Sequence, residues 1–164
     1  MSDNDQNAAV DVSAADASVV VASAILGEAR LRVRYAETDQ MGVVYHANYL
    51  VWFEIGRVEL MRQLGFDYKQ MESEDDCFIA VVEANCRYKS PARYDDELVI
   101  ATEIAALRGF VLKFRYRVYR VSDGTLLAEG ETTHIITGRN LKKKPLPEKY
   151  VEAFRRVRCG AHLS

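Results

Sequence analysis

The order of the predicted elements is the feature that most restricts the fold of this chain. The alternating stretch "RLRVRY" predicts a half-buried strand, because Leu31, Val33 and Tyr35 would share one face. One helix follows at residues 48–64, and the later alternating stretches are strands: 78–89, 95–107, 110–121 and 125–138. Consecutive strands joined by short turns pair antiparallel, which excludes a doubly wound parallel sheet.

The helix is expected to lie at the centre of the fold. Its first half, "YLVWF", is apolar on every side, which indicates burial by more than one surface. Asn48 is the predicted N-cap, and Gly65 the predicted residue after the C-cap. Gly56 costs about 1 kcal/mol relative to Ala inside a helix, a cost that close packing against another element would offset. The pattern predicts an α+β fold in which about five antiparallel strands curl around the full circumference of one long helix.

The clearest strand is "FVLKFRYRVYR", in which one alternating set of side chains is expected to face inward: Phe110, Leu112, Phe114, Tyr116 and Val118. Asp123-Gly124 predicts a tight hairpin before the last strand. A short helix is predicted at about 147–157, after the basic run Lys142–Lys144 and Pro145.

Length and composition indicate one domain. The 164 residues divide into a predicted flexible N-terminal tail at 1–27, a folded domain at 28–158 and a C-terminal tail at 159–164. The apolar part of the first tail could dock as an additional strand. Its run "SVVVASAIL" is too short to span a bilayer and has no basic flank, so neither a membrane span nor a signal peptide is expected.

Charge and cysteine content narrow the functional classes. The net charge of −2 gives no reason to expect nucleic acid or a membrane surface as a partner. Residues 1–28 hold five acidic and no basic residues, which leaves the rest of the chain with three more basic than acidic residues, a balance that suits an anionic ligand. The three cysteines form no CxxC pair, so reduced thiols in a cytoplasmic protein are expected.

The stretch "YAETDQMGVVYHANY", residues 35–49, is the strongest functional signal. It places a carboxylate, Asp39, a turn-forming Gly42 and His46 directly before the apolar helix. No acidic residues and histidines cluster at metal-ligand spacing, so no metal site is expected.

Together with "LVWFE" and the later "SPARYDDEL", this stretch resembles the signature of hot-dog-fold acyl-CoA thioesterases of the 4-hydroxybenzoyl-CoA thioesterase type. The "HANY" version is similar to the branch that includes the Tol-Pal-associated acyl-CoA thioesterases. The resemblance covers roughly residues 30–146. It implies a hot-dog fold, hydrolysis of an acyl- or aroyl-CoA to the free acid and CoA, and no cofactor other than the CoA of the substrate.

The resemblance also implies roles for single residues. Asp39 matches the essential carboxylate, which attacks the thioester directly or activates water as a general base. His46 matches the position whose backbone N–H polarises the thioester carbonyl from a helix N-terminus, and Tyr45 stands beside it as a further catalytic candidate. The candidate substrate-binding residues are Gly42, Val43, Asn48, Tyr49, Glu54 and Arg93. Arg93 and Lys142–Lys144 are candidates for the CoA phosphates.

Other interpretations of these residues remain open. Asp39 could simply cap a turn with its side chain. Glu54 and Arg57 are spaced for an i, i+3 ion pair on the helix, which would give both a structural role. A hot-dog dehydratase using His46 and Glu54, or a non-catalytic acyl-CoA-binding module, are the alternative functions.

The resemblance implies a site between two subunits, so a homodimer or homotetramer is expected. The outer face of the 110–121 strand, including Val111 and Tyr119, would otherwise leave apolar surface exposed.

Overall fold

The structure is a computed structural model that describes residues 25–158. Its elements, in chain order, are β1 (Ile25–Arg32), a 3₁₀ turn (Tyr35–Glu37), α1 (Asn48–Gln63), α2 (Tyr68–Ser73), β2 (Phe78–Tyr88), β3 (Glu97–Arg108), β4 (Val111–Arg120), β5 (Leu126–Thr137) and α3 (Glu148–Arg158). The four later strands agree with the predicted ones to within two residues at each end. Helix α2 was not predicted.

The strands form one antiparallel sheet in the order β1-β3-β4-β5-β2. Strands β1 and β2 are its edges, and α1, which connects them in sequence, packs across one face. The predicted architecture, a five-stranded antiparallel sheet on one central helix, is confirmed. The inward-facing set of β4 is also confirmed from Leu112 to Val118, whereas Phe110 precedes the strand and is exposed.

The first strand begins five residues earlier than predicted and ends three residues earlier. Strand β1 pairs with β3 from Ile25 to Arg32, whereas Tyr35 begins the 3₁₀ turn and is exposed. The last three residues of the predicted N-terminal tail therefore belong to β1. The rest of that tail, residues 1–24, and the predicted C-terminal tail, residues 159–164, lie outside the described residues.

Helix α1 buries its aromatic residues against the sheet. Trp52 and Phe53 are fully buried, and the Phe53 ring stacks on Tyr116 of β4 with ring centroids 4.4 Å apart. The predicted N-cap is wrong: Ala47 occupies that position, and the Asn48 side chain instead donates to a carbonyl of the preceding loop. The predicted helix end is confirmed, because Gly65 follows the C-cap with φ of +83°.

The opposite side of α1 is not covered by any residue that the structure describes. Leu50, Val51 and Ile55 remain 41–47% exposed. The expectation that the sheet would enclose the full circumference of the helix is therefore wrong. The sheet supplies one covering surface for the "YLVWF" segment, and the described residues supply no second one.

Gly56 lies where α1 comes closest to β3. A Cβ at this position would clash with the Thr102 hydroxyl and lie 2.7 Å from Cγ2 of Ile100. We expect Gly56→Ala to lower the free energy of unfolding by about 1–3 kcal/mol, because overpacking outweighs the roughly 1 kcal/mol gained from the helix propensity of Ala. Urea unfolding would measure it, with Ser73→Ala on exposed α2 as the control. A Gly56→Ala protein as stable as the wild type would contradict this packing.

A buried polar cluster joins α1 to β4 and β5. The Arg57 guanidinium donates to Nε2 of His134 (3.4 Å), and His134 and Tyr116 both hydrogen-bond the Thr132 hydroxyl at 2.7 Å. Glu54 makes no ion pair with Arg57, so the predicted i, i+3 pair is wrong. The acceptor for Arg57 comes instead from a strand 77 residues further along the chain.

The cluster predicts how stability depends on pH. Burial, assisted by the positive charge of Arg57, lowers the pKa of His134 to about 3. Because this pKa is below the unfolded value of about 6.5, the contribution of His134 is complete above pH 6.5 and is lost as the pH falls toward 3. We expect the free energy of unfolding to decrease between pH 6.5 and 4.5 by up to about 1.4 kcal/mol per pH unit. Denaturant titrations should show a flatter dependence in His134→Gln; equal slopes would contradict it.

Candidate active site

Asp39 lies in a tight turn between the 3₁₀ turn and α1. Its Oδ1 accepts the Met41 N–H at 2.8 Å, and its carbonyl accepts the N–H of Gly42 at 3.0 Å. Gly42 has φ of +73°, a conformation in which glycine avoids the Cβ strain of other residues. The second carboxylate oxygen, Oδ2, accepts no hydrogen bond from the described residues. Asp39 therefore caps its own turn with one oxygen and keeps the other free.

The chain that follows leaves two amides unpaired ahead of α1. The N–H groups of Val44 and Tyr45 donate to the carbonyls of Ala92 and Glu37. The next two N–H groups, those of His46 and Ala47, make no hydrogen bond with any residue that the structure describes. Free amides at the positive end of a helix dipole stabilise negative charge, so this end of α1 suits a developing oxyanion.

Asp39 and His46 line a common cleft of about 340 Å³. Its lining residues are Asp39, Met41, Val43, Val44, His46, Tyr49, Tyr88, Lys89, Ser90 and Pro91. The cleft thus contains an anionic side chain and the start of a helix within mostly apolar and aromatic surroundings. This arrangement suits attack on a carbonyl and stabilisation of the resulting charge.

Four of the predicted site residues line this cleft: Asp39, Val43, His46 and Tyr49. The exposed ring of Tyr45 packs on that of His46, with centroids 4.4 Å apart. Gly42 shapes the Asp39 turn, and Nη1 of Arg93 lies 3.5 Å from its carbonyl oxygen. Asn48 and Glu54 do not line the cleft: the Asn48 side chain bonds the Glu37 carbonyl, and Glu54 is exposed on α1.

The sequence patterns missed Tyr88, the last residue of β2. Its hydroxyl donates to the His46 carbonyl at 3.0 Å, and its ring packs edge-on against that of Tyr49. Partial desolvation of the half-exposed Tyr88, with the nearby Cys86, raises its pKa to about 12, and the phenol is a neutral donor at physiological pH. No local sequence pattern indicates that Tyr88 belongs to the cleft, because only the pairing of β2 with β5 brings Tyr88 to the start of α1.

Residues 25–158 contain neither a group of side chains suited to a metal ion nor a membrane-spanning helix. No group of three His, Cys, Asp or Glu residues in this part of the chain could hold a metal ion. No helix between residues 25 and 158 is long and apolar enough to cross a membrane.

An antiparallel sheet on one central helix, with a carboxylate beside the start of that helix, defines a hot-dog thioesterase. A family model for the Thioesterase-like superfamily matches residues 33–154, and the chain belongs to this family. The prediction of a thioester hydrolase is thereby confirmed for the class of reaction.

Individual relatives agree with this assignment. The chain is 41% identical to a putative acyl-CoA thioesterase, YneP, of Bacillus subtilis, over 76% of this chain and 86% of the relative. It is 39% identical to the acyl-CoA thioester hydrolase YbgC of Escherichia coli, over 76% and 92%. The structure of 4-hydroxybenzoyl-CoA thioesterase from Pseudomonas sp. strain CBS-3 superposes with a TM-score of 0.72, covering 78% of this chain and 98% of that one. At 23% identity, this likeness concerns the fold alone.

Proposed function

We propose that this protein hydrolyses acyl-CoA thioesters, with Asp39 as the catalytic carboxylate. The observation that carries the proposal is a cleft lined by Asp39, which keeps one carboxylate oxygen free, and by His46, whose N–H is unpaired like that of the neighbouring Ala47. The names of the two relatives described above, a putative acyl-CoA thioesterase and an acyl-CoA thioester hydrolase, support CoA as the thiol part of the substrate.

The proposed reaction follows from this arrangement. As a general base, Asp39 takes a proton from water, whose oxygen attacks the thioester carbon. The amides at His46 and Ala47 donate to the carbonyl oxygen as it becomes negative. Collapse of the intermediate breaks the C–S bond, and the CoA thiolate leaves and takes up a proton. As a nucleophile, Asp39 would first form an anhydride that water then cleaves; both routes yield the acid and CoA.

The CoA phosphates require positive charge near the rim of the cleft. Arg93 is exposed and lies beside the Gly42 turn, so we assign it to this role. Lys144 is a weaker candidate, because its ammonium group already donates to the carbonyls of Asp75 and Asp76. Lys142 and Lys143 are exposed but, unlike Arg93, make no contact with the Asp39–Gly42 turn in the part of the chain that the structure describes.

Release of free thiol from a panel of acyl- and aroyl-CoA esters tests the proposal. Hydrolysis of at least one ester is expected. Formation of an unsaturated acyl-CoA from a 3-hydroxyacyl-CoA without thiol release would instead support a dehydratase. Binding without turnover would indicate an acyl-CoA-binding module. Among these alternatives the dehydratase has less structural support, because Glu54 does not line the cleft with His46.

We also propose that the protein is at least a homodimer joined along β2. No strand among residues 25–158 pairs with the outer side of β2, along which Val81, Val82 and Tyr88 are about half exposed. The uncovered apolar side of α1 also requires a second surface. A second copy would supply both a partner strand and a cover. The outer face of β4, the basis of the dimer prediction from sequence, is less suited, since Arg115 there already pairs with Glu103 and Glu131.

A further inference from the structure

Glu37, two residues before Asp39, is a buried carboxylate that the proposed chemistry does not use. Only 6% of the residue is exposed. Its Oε2 accepts the backbone N–H of Arg34 at 2.7 Å, and its Oε1 accepts the indole N–H of Trp52 at 3.1 Å. Burying a carboxylate is costly unless it is hydrogen-bonded, so these contacts hold the side chain in one place.

The backbone of Glu37 makes a second set of contacts. Its carbonyl accepts the N–H of Tyr45 at 2.9 Å and the side-chain amide of Asn48 at 2.9 Å. Tyr45 directly precedes the unpaired amide of His46, and Asn48 is the first residue of α1. One residue therefore connects the segment that carries Asp39, the segment that carries the free amides, and the first two turns of the helix.

Glu37 remains charged in this environment. Although burial acts to raise its pKa, the hydrogen bonds from the Arg34 N–H and the Trp52 indole outweigh burial and lower that pKa below its ordinary value. The ion pair with Arg34 contributes little, because the Arg34 side chain is largely exposed. An anionic acceptor makes stronger hydrogen bonds than a neutral one, so the negative charge itself tightens the contact to α1.

We propose that Glu37 is a positioning residue for thioester hydrolysis, setting the Asp39 carboxylate at its working distance from the amides at the start of α1. The inference rests on the proposed role of Asp39. Glu37 does not line the cleft, so it acts through its neighbours rather than on the substrate. Displacement of a catalytic group by about 1 Å can cost on the order of 10²-fold in rate, so modest loosening of this connection is sufficient to be measured.

Glu37→Gln tests the proposal, with Glu103→Gln as a matched control. Glu103 is also buried and ion-paired, to Arg115 at 2.6 Å, but it lies on β3 away from the cleft. Glutamine at position 37 places an NH₂ group against the N–H donors of Arg34 or Trp52. We expect kcat to fall at least tenfold in Glu37→Gln with KM within about twofold of the wild type, whereas Glu103→Gln should lose thermal stability but retain kcat.

Trp52 provides an independent spectroscopic measure, because it is the only tryptophan in the chain. Its fluorescence maximum should shift in Glu37→Gln and stay unchanged in Glu103→Gln. If Glu37→Gln does not fold, Trp52→Phe removes the indole donor together with part of the buried ring and should lower kcat about threefold or more without a comparable change in KM.

The outcomes separate this inference from the proposed function. Equal kcat values for Glu37→Gln and Glu103→Gln, or an unchanged kcat in Trp52→Phe where Glu37→Gln does not fold, would overturn the positioning role while leaving Asp39 as the catalytic group. Activity that survives Asp39→Asn would instead overturn the proposed mechanism itself.

Discussion

Replacement of Asp39 by Asn is expected to lower kcat by about 10²–10⁴-fold, the range typical of general acid–base catalysis. The substitution removes the charge that attacks the thioester or activates water. An Asn oxygen can still accept the Met41 N–H that Oδ1 accepts in the wild type, so the turn should persist. KM should change little, because the acyl and CoA contacts lie mostly elsewhere. Steady-state kinetics with the best ester of the panel measure both constants.

His46→Ala is the matched comparison for Asp39→Asn. The group proposed to act at position 46 is a backbone N–H, which Ala retains, so the loss of kcat should be milder. Thermal stability of the Asp39→Asn protein should hold or rise slightly, which would show that lost activity does not reflect lost folding. A tenth or more of wild-type kcat in Asp39→Asn would refute the mechanism. An equal collapse in His46→Ala would assign the chemistry to the imidazole and favour the dehydratase.

The predictions were correct where the structure depends on residues that are close together in the chain, as in β4 and at the start of α1. The alternation in β4 is strict because each inward residue from Leu112 to Val118 meets α1 or its neighbours in the core. The Asp39 turn and the start of α1 were recognisable because the carboxylate and the free amides lie within nine residues. Their proximity follows from a short chain segment and needs no long-range contact.

The wrong predictions concern residues whose contacts come from distant parts of the chain. The alternating pattern of the first strand includes Val33, which is buried although β1 ends one residue before it. The backbone of Val33 is held instead by hydrogen bonds with Asp95 and Asp96 of a later turn. The spacing of Glu54 and Arg57 fits an ion pair, but His134 offers Arg57 a buried acceptor that no local pattern reveals. Tyr88 reaches the cleft only through the sheet register.

The apolar side of α1 is a further feature whose contacts could not be predicted from the sequence. A sequence that is apolar on all sides of a helix predicts two covering surfaces but does not say which molecule provides the second. The structure assigns the first to the sheet and leaves Leu50, Val51 and Ile55 exposed. A monomer would present this apolar area to water, which monomeric proteins usually avoid.

Val81→Lys is therefore expected to convert the proposed dimer to a monomer and to lower kcat/KM on the order of 10²-fold, the cost of a site that loses part of its alignment. Val81 lies on β2 opposite His134 and is 53% exposed, so a lysine at this position can reach water in a single chain. In the proposed interface its ammonium group would be buried without an opposite charge. Val121→Lys, at a 41% exposed valine just after β4, introduces the same charge away from the β2 edge and should preserve both assembly and activity. Light scattering at the assay concentration, combined with thiol-release kinetics, measures both effects. A wild-type protein that is a fully active monomer, or a Val81→Lys protein that remains an active dimer, would show that the second surface of α1 is not another copy joined along β2.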